Sequence, residues 1–515
     1  MTVEDMVVGS VGWRRLDPRM CLVNLRWILP SLGILALTAL GSGSVNWEDH
    51  KLQIVSALLF VYLTCSEMVR WRTTRYRVTV EQVEVHSGLF WRRHVAIPRD
   101  RLRTVDVTSG PVHRVLGLSI VTMGTGQALR TDRRHQLKID AVSVTEAAVL
   151  REELLPRSQP AKPASADVQE APAAEQIARL DPRWVRYAPL SPLVFVIGLA
   201  PLSQAYNLAE RLGIPVDIGG AVVGAVEFLV AIPGWLFAVF VVMVLVAGVI
   251  GTMLLFAESW WRFRLEREPG SGTLRVSRGL ITTRSFTLEE RRLRGAELLE
   301  PFMLRWGKGA RLKAIASGLR QTLDGPRGGS GALLPPAPRR LAHETAASVL
   351  REAESPLLPA RLRAHPRAAL RRRLFRAGAA SGAAVAVAAV LAAVAGWSVG
   401  WSTAVVAVVA VPVSVVLATD AYRSLGHTLH GAYLVTREGA LRRRTVALQR
   451  AGIIGWTVTR SPLQRRSGLA TIAATTAAGT TGTYVVRDVG YGDGLMMADE
   501  AVPGLLGQFI ETTAE

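Results

Sequence analysis

The sequence predicts an α+β membrane protein in which long apolar helices alternate three times with short β-rich domains. Three observations lead to this prediction: uncharged runs long enough to cross a bilayer, marks that recur at matched spacing, and arginines concentrated on one side of every run. The chain has 515 residues, 61 Lys and Arg against 41 Asp and Glu, and a mean hydropathy of +0.25. It is long enough for several domains and too apolar to be disordered throughout.

Six membrane spans are predicted from the uncharged runs, at about 20 residues per span. They pair into three helical hairpins, at residues 27–69, 187–257 and 377–419. The last hairpin is one uncharged run of 43 residues, and a turn at residues 396–401 is expected to divide it. The span at residues 52–69 is the shortest of the six.

Arginine and lysine determine the predicted orientation. The sequence on one side of each hairpin is rich in arginine, whereas the three hairpin tips carry Lys51, Arg211 and no basic residue. The positive-inside rule therefore predicts a multi-pass protein of the cell membrane with both termini and all large loops in the cytoplasm. The first span lacks a small-residue cleavage site, and we expect it to be an anchor and not a removed signal peptide.

An internal repeat accompanies the hairpins. A Pro-Arg phrase precedes each of them, at residues 16–19, 180–183 and 364–367. After each hairpin follow a strand-like run, a glycine (Gly88, Gly279, Gly439) and a Pro-x5-Gly element (residues 111–117, 301–307 and 462–468). The gaps from glycine to proline are 23, 22 and 23 residues, which indicates a repeated tertiary structure.

The repeat sets the predicted boundaries. They are a cytoplasmic segment at 1–26, a hairpin at 27–69, a domain at 70–155, a linker at 156–178, a hairpin at 187–257, a domain at 258–355, a hairpin at 377–419 and a domain at 420–515. Each domain is expected to have several short strands and then a helix. The first of these helices begins at a capping box, Ser143 to Glu146, and the third is placed near residues 502–510. Residues 325–338 are predicted to be a loop, and residues 490–494 a hairpin turn.

Four stretches of the first domain, at residues 76–79, 87–89, 97–99 and 115–121, resemble the bacterial pleckstrin-homology-like (bPH2, DUF304) domain. The complete arrangement is similar to the YdbT-type membrane proteins. This resemblance implies three tandem, strongly bent antiparallel barrels, each closed by a C-terminal helix, and a smaller PH-like membrane protein as a possible partner. The second copy has an insertion at residues 269–272, and the third is expected to lack about one strand between Tyr433 and Gly439.

Sequence motifs for catalysis are absent. No phosphate-binding loop, zinc-protease motif or nucleophile elbow occurs, and Cys21 and Cys65 cannot build a disulfide framework or a four-ligand zinc site. For His427 and His430 we favour a juxtamembrane polar cap over a metal pair. The spans contain almost no ionisable residue, which argues against an ion-coupled transporter. We therefore expect a non-enzymatic protein with no cofactor and no metal.

Arginine supplies nearly all of the positive charge. Nine arginines are candidate contacts for anionic lipid headgroups or a partner: Arg92, Arg93, Arg114, Arg292, Arg305, Arg442, Arg443, Arg444 and Arg465. Each basic residue near an anionic membrane surface contributes about 1 kcal/mol. The alternative, a solvated surface with biased composition, stays open. Nucleic acid is not expected as a partner, because no reading element occurs and the domains are tethered to a membrane.

The Pro-x5-Gly element is interpreted as a corner between two strands. Proline suits the end of a strand, and glycine permits the backbone to re-enter the next one. We expect Arg114, Arg305 and Arg465 at equivalent exposed positions and the apolar residue beside each proline (Val112, Phe302, Leu463) against the end of the barrel. The element is either a membrane or partner contact or only a structural corner.

Two hypotheses for function follow. The first is a membrane scaffold, in envelope maintenance, whose cytoplasmic domains bind lipid headgroups or a partner protein. The second is an accessory or path-forming component of lipid or peptide export. Three separate barrels would favour independent adaptors, and a joint groove would favour a ligand path.

Overall fold

The computed structural model describes residues 12–23, 62, 66, 68–79, 81–88, 92–99, 104–124, 136–154, 174–201, 233–269, 272–317, 329, 331–358, 362–394, 396, 398–479 and 482–506. These residues contain both β-sheets and long helices, in agreement with the predicted α+β class. Most of the predicted first hairpin, including residues 27–61, the linker up to residue 173 and the tip of the second hairpin lie outside the described residues.

The described helices are α1 (Met20–Val23), α2 (Pro111–Val115), α3 (Val144–Leu154), α4 (Gly234–Trp260), α5 (Phe302–Trp306), α6 (Arg339–Leu350), α7 (Arg367–Val394), α8 (Val399–Arg423), α9 (Pro462–Arg466) and α10 (Tyr491–Ala501). Within the described residues, α4, α7 and α8 are long and apolar enough to cross a membrane. They match the fourth, fifth and sixth predicted spans. Residues 193–201, at the start of the predicted third span, are also helical.

The described strands are β1 (Arg14–Arg15), β2 (Arg75–Val78), β3 (Gln82–Ser87), β4 (Arg93–Pro98), β5 (Thr104–Ser109), β6 (Leu118–Gly124), β7 (Gln136–Ser143), β8 (Glu175–Arg179), β9 (Arg264–Glu268), β10 (Thr273–Arg278), β11 (Thr283–Glu289), β12 (Leu293–Pro301), β13 (Gly309–Ala316), β14 (Ala332–Pro338), β15 (Gly426–His430), β16 (Tyr433–Glu438), β17 (Arg442–Gln449), β18 (Ile453–Thr459), β19 (Leu469–Thr476) and β20 (Thr483–Gly490).

Long helices pack through small residues. The helix at residues 193–201 approaches α4 so closely that a Cβ on Gly198 or Gly248 would lie 2.2 or 2.0 Å from a backbone oxygen of the other helix. In the pair α7–α8, the hydroxyls of Ser381 and Ser414 are 2.7 Å apart, and Gly396 provides the turn with φ of 69°. Close backbone approach and hydroxyl bonds are typical of helix pairs in membranes, where apolar burial does not drive association.

One order of elements occurs three times: three strands, a fourth strand, a five-residue helix, two more strands and a longer helix. We call these stretches the first segment (residues 75–154), the second segment (264–350) and the third segment (426–501). Gly88, Gly279 and Gly439 end the second strand of each, with φ of 104°, 116° and 98°. At Gly279 and Gly439 a Cβ would lie within 2.1 Å of a backbone oxygen, so the turn requires glycine there.

The chain divides into two compact units. The first comprises residues 1–176, 261–291 and 318–320. It contains a four-stranded sheet, β1-β2-β3-β4, and a larger sheet that includes β7-β6-β5-β11-β10-β9 in this order. The core of this unit includes Tyr76, Leu118 and Leu150, all fully buried, and the Tyr76 hydroxyl donates a 2.5 Å hydrogen bond to Glu146.

The second unit comprises residues 177–260, 292–317 and 321–515. It contains a six-stranded sheet, β14-β13-β12-β17-β16-β15, and a three-stranded sheet, β18-β19-β20. A core that includes Leu434, Leu448 and Ile472 lies between strands of these two sheets. The helices α4, α7 and α8 also belong to this unit.

Both large sheets join strands from successive segments. In the first joint, β5 of the first segment pairs with β11 of the second, and Thr108 lies opposite Arg284. In the second joint, β12 of the second segment pairs with β17 of the third, and Leu299 lies opposite Arg444. The registers are equivalent, because Arg284 and Arg444 each lie opposite the residue before the turn glycine. The sheets are therefore not confined to separate barrels, since an edge left open in one segment is paired by the next.

Five local predictions are corrected. The third segment does not lack a strand, because β15 precedes the run at Tyr433 and turns at Gly431. Its final helix is α10, which begins inside the glycine-rich stretch expected to be a turn and ends before residue 502. Part of the predicted loop at 325–338 is strand β14, where Pro335 and Pro336 are tolerated because β14 is an edge strand. The last residues of the predicted linker form β8.

Candidate functional site

Each Pro-x5-Gly element forms a helix of five residues that connects the fourth and fifth strands: α2, α5 and α9. Pro111 and Pro462 start their helices, whereas Pro301 is the N-cap of α5, one residue earlier. The residue with positive φ is accordingly Gly117, Gly468 and, in the second segment, Lys308 and not Gly307. The proposed equivalence of the three prolines was therefore wrong by one residue in the second segment.

The fourth residue of these helices is Arg114, Arg305 or Arg465. Arg114 donates to the carbonyl of Leu280 at 2.5 Å, and Arg305 donates to the carbonyl of Ala440 at 2.9 Å. Both carbonyls follow the turn glycine of the next segment. Arg114 and Arg465 are exposed as predicted, but the prediction is wrong for Arg305, whose side chain is only 14% exposed.

Arg305 is covered because it binds Asp420, in the last turn of α8. Its two terminal nitrogens lie 2.9 and 3.3 Å from the two carboxylate oxygens of Asp420. Arg443, on β17, donates to the same carboxylate at 3.3 Å. Burial lowers the pKa of Arg443, and the positive charge of Arg305 adds to this effect. Asp420 thus ties the end of a membrane-length helix to the second and third segments.

A cavity of about 350 Å³ opens beside this ion pair. Its charged lining residues, which we call the Asp420 cluster, are Glu300, Arg305, Lys308, Arg339, Asp420 and Arg443. Arg339 lies 3.1 Å from the buried carboxylate of Glu300. Phe302 and Trp306 complete the wall, with ring centroids 4.8 Å apart. Four cationic groups against two carboxylates leave a net positive site suited to an anion.

A second cavity, of about 1000 Å³, shares Lys308 and Arg339 with the first. Tyr187 and His343 also line it. Burial, followed by the charge of Arg339, lowers the pKa of His343 to about 4, so this ring is neutral at pH 7. The Nε2 atom of His343 is buried and makes no hydrogen bond to the described residues.

The other predicted contact residues do not share one site. Arg92 and Arg442 are exposed, and Arg292 is half-buried. Arg93 is the first residue of β4. The Nε of Arg444 lies 2.7 Å from Glu297, and its guanidinium stacks 5.2 Å from the ring centre of Tyr484. Of the nine arginines, the Asp420 cluster therefore brings together Arg305 and Arg443.

His427 is not a juxtamembrane cap. It lies buried on β15, and its Nδ1 is 3.1 Å from Nε2 of His365, in the phrase that precedes α7. His430 is exposed, on the opposite face of the strand. Burial, together with the charge of His365, lowers the pKa of His427 to about 4. Next to this pair, Asp488 accepts hydrogen bonds from Arg372 and Gln464, so the group links α7 to the third segment.

One group of side chains has metal-ligand spacing within the described residues: Glu84, His86 and His94 on β3 and β4. His86 and His94 lie opposite each other, with ring centroids 4.1 Å apart. Both oxygens of Glu84 already accept hydrogen bonds from Arg77, at 2.9 and 3.0 Å, and Gln82 donates a further one. We therefore assign no metal to this group.

Sequence reasoning missed Asp420, Glu300, Lys308 and Arg339. A signal for Asp420 exists, because it is the single acid in the last turn of an otherwise uncharged span. Lys308 is one of few lysines in an arginine-rich chain and follows the corner directly. Glu300 and Arg339 are far apart in sequence, and only the pairing of β12, β13 and β14 brings them together.

Two regions of the chain, residues 28–158 and 380–495, match the model of the bacterial PH domain. These regions include most of the first and third segments. The match supports a bacterial PH-domain protein of the YdbT type. The UPF0699 transmembrane protein YdbT of Bacillus subtilis (strain 168) is 24% identical over 172 residues, which cover 32% of this chain and 34% of that relative. The match thus spans about a third of the relative's length, and no solved structure matches the chain.

Proposed function

We propose that this chain is a non-enzymatic membrane scaffold, with three tandem PH-like domains in the cytoplasm, that binds anionic lipid headgroups in the Asp420 cluster. The observation that carries the proposal is a cationic cavity at the end of a membrane-length helix. A role in envelope maintenance is part of the same proposal.

The position of the cavity supports a lipid ligand. α8 has 25 residues, or about 37 Å at 1.5 Å per residue, against an apolar bilayer core of about 30 Å. Asp420 lies in its last turn, and Arg423 is its last residue. If α8 crosses the bilayer, the cluster lies at the depth of the phosphate groups.

The chemistry of the cluster supports an anion. Asp420 holds Arg305 and Arg443 with their guanidinium groups side by side, and this fixes two donors that would otherwise repel each other. Arg339 and Lys308 add two cations at the rim, with Arg339 about half exposed. Phe302 and Trp306 offer apolar surface at the same depth, where a headgroup joins its acyl chains.

The test compares lipid retention by the full-length chain in detergent, with native mass spectrometry as the readout and phosphatidylglycerol and phosphatidylcholine as the probes. The double variant Lys308→Asn with Arg339→Gln leaves the Asp420 ion pairs in place. At about 1 kcal/mol per basic residue, we expect phosphatidylglycerol to bind roughly 30-fold more weakly, with no change for phosphatidylcholine.

The matched control is Arg423→Gln. Arg423 is exposed on the same final turn of α8 but does not line the cavity. It should retain phosphatidylglycerol within about 2-fold of the parent, because a single exposed charge is screened by solvent. Equal phosphatidylglycerol binding by the parent and the double variant, with both chains folded, contradicts the proposal.

A second candidate function, a path for lipid or peptide export, is favoured by the larger cavity that adjoins the cluster. Its volume of about 1000 Å³ is at the upper end for small-ligand sites. Vesicles that contain the purified chain distinguish the two functions. Headgroup-selective binding without transbilayer movement supports the scaffold, and protein-dependent movement of a fluorescent phosphatidylglycerol supports the path.

A further inference from the structure

Two sheet edges of the same kind as those in the joints stay open within the described residues. The fourth strands β5 and β12 pair with the third strands β11 and β17 of the following segment. In the last segment, β18 is the fourth strand, and its outer edge pairs with no described strand. In the first segment, β4 is the third strand, and its outer edge is likewise unpaired among the described strands. The first segment thus carries one half of a joint, and the third segment carries the other.

The open strand β18 is exposed where its paired equivalent is buried. In β12, Leu298 and Leu299 are 1% and 3% exposed. The equivalent residues of β18 are Val458, which is 39% exposed, and Thr459, which is also exposed. Ile454 is 62% exposed on the same strand. An exposed apolar edge strand readily pairs with another strand.

The corner arginine of the last segment lacks the contact that its equivalents make. Arg114 and Arg305 donate to a turn carbonyl of the next segment. Arg465 has the same position in α9 and is exposed, and its side chain makes no hydrogen bond to the described residues. In the first segment, the residue equivalent to Leu280 and Ala440 is Leu89, directly after Gly88. Arg465 therefore has the donor for a third joint, and the first segment has the equivalent glycine, Gly88, with φ of 104°.

We propose that β18 of one chain pairs, antiparallel, with β4 of a second copy of this chain, and that the side chain of Arg465 hydrogen-bonds that copy beside Gly88. The registers of the two internal joints predict the register of this one. Leu298 opposite Thr445 becomes Val458 opposite His94, and Leu299 opposite Arg444 becomes Thr459 opposite Arg93.

A second copy is the occupant that the chain itself supports, because each copy carries both complementary edges. A contact between two different surfaces of identical chains closes into a dimer or a larger ring when the copies are related by rotation about one axis. Copies anchored in one membrane share one orientation, and an axis along the membrane normal preserves it. The inference is independent of lipid binding, since none of its residues lines the Asp420 cluster.

The first test is disulfide cross-linking of full-length chains in membranes, with Cys21 and Cys65 changed to Ser. Two differently tagged chains are co-expressed, one with Val458→Cys and the other with His94→Cys. Directly opposite residues of an antiparallel pair have Cα atoms about 4.5–5.5 Å apart, which permits a disulfide. We expect a cross-linked dimer with both tags. The control replaces His94→Cys by His86→Cys, which is equally on the surface but one strand, about 4.8 Å, farther from the edge.

The second test changes the strength of the contact. Arg465→Gln should lower the cross-linked fraction about 10-fold, because a hydrogen bond from a charged donor is lost, whereas the exposed neighbour Arg466→Gln should leave it unchanged. Thr457 has the position of Glu297, the acid of the second joint. Thr457→Glu places an acid diagonally across from the position of Arg93, as Glu297 is from Arg444, and should raise the fraction up to about 5-fold.

Three outcomes overturn the proposal. One is the absence of a two-tag dimer with Val458→Cys and His94→Cys, or an equal yield from the His86→Cys control. Another is a monomer-sized cross-link in a chain that carries both cysteines, which shows closure within one chain. The third is cross-linking of Val458→Cys to a different protein of the membrane in place of the second copy.

Discussion

The two internal joints have the same backbone pairing and different chemistry. Each has an acid at one register position of the fourth strand, Asp106 in the first and Glu297 in the second. Glu297 is bound by Arg444 at 2.7 Å. Asp106 is half-buried, and its buried Oδ1 has no hydrogen-bond partner among the described residues. The comparison teaches that backbone pairing and corner contacts determine where segments join. The charges determine how much the stability of each joint changes with pH or with mutation.

The joints also differ in how closely the two paired backbones approach each other. Gly295, at the bulge of β12, has φ of 154°, and a Cβ there would lie 1.9 Å from the carbonyl oxygen of Ala447. The equivalent residue of the first joint is Thr104, which carries a Cβ already. The second joint therefore depends on a glycine that the first does not need.

The largest expected effect comes from this difference. Gly295→Ala should lower the free energy of unfolding by about 3 kcal/mol, because the new methyl group clashes with backbone that cannot rotate away. Thr104→Ala, at the equivalent position, should change it by less than about 1 kcal/mol. Chemical unfolding of the full-length chain in detergent measures both. Equal effects at the two positions would show that the two joints leave the same room for a Cβ beside the paired backbone.

The acids give the next effect. Glu297→Gln should lower the free energy of unfolding by about 1 to 2 kcal/mol at pH 7, because the buried charge-assisted bond to Arg444 is lost and the arginine is partly screened by solvent. Asp106→Asn should be neutral or stabilising at the same pH, since its carboxylate lacks such a partner. The same unfolding assay decides, and a destabilised Asp106→Asn would contradict the contrast.

The first joint should also depend on pH. Burial raises the pKa of Asp106 to about 6, against the opposing charges of Arg284 and Arg278. The folded state therefore holds a proton that the unfolded state releases near pH 4, and stability should fall as the pH rises from about 4 through 6. Hydrogen exchange of β5 amides between pH 5 and 7.5, corrected for intrinsic rates, should report the loss. In Asp106→Asn this component should disappear.

Several features of this molecule can be predicted from short stretches of its sequence. The uncharged runs predicted α4, α7 and α8, because spanning a bilayer imposes a length and a composition that no other element shares. The three turn glycines were readable for a similar reason, since positive φ excludes most other residues. The corner arginines were found at equivalent positions, although the proline of the second segment stands one residue earlier than its counterparts.

Contacts between residues far apart in the sequence could not be predicted in this way. Alternation of side chains identifies a strand but does not say which strand will pair with its edge, so the joints between segments were missed and separate barrels were expected. The missing strand of the third segment was an error of alignment, because β15 begins three residues after α8 and contains two histidines.

The sequence by itself determined the class of protein, the apolar spans and the turns, because each depends on the composition or conformation of a few neighbouring residues. Only the tertiary structure decided which arginines bind acids and which face solvent. Arg305 and Arg465 occupy the same place in the same element, yet Arg305 meets Asp420 from a helix 115 residues away and Arg465 meets no described partner. A side chain acquires its role from what the fold places beside it, and that neighbour is set by backbone pairing over long distances along the chain.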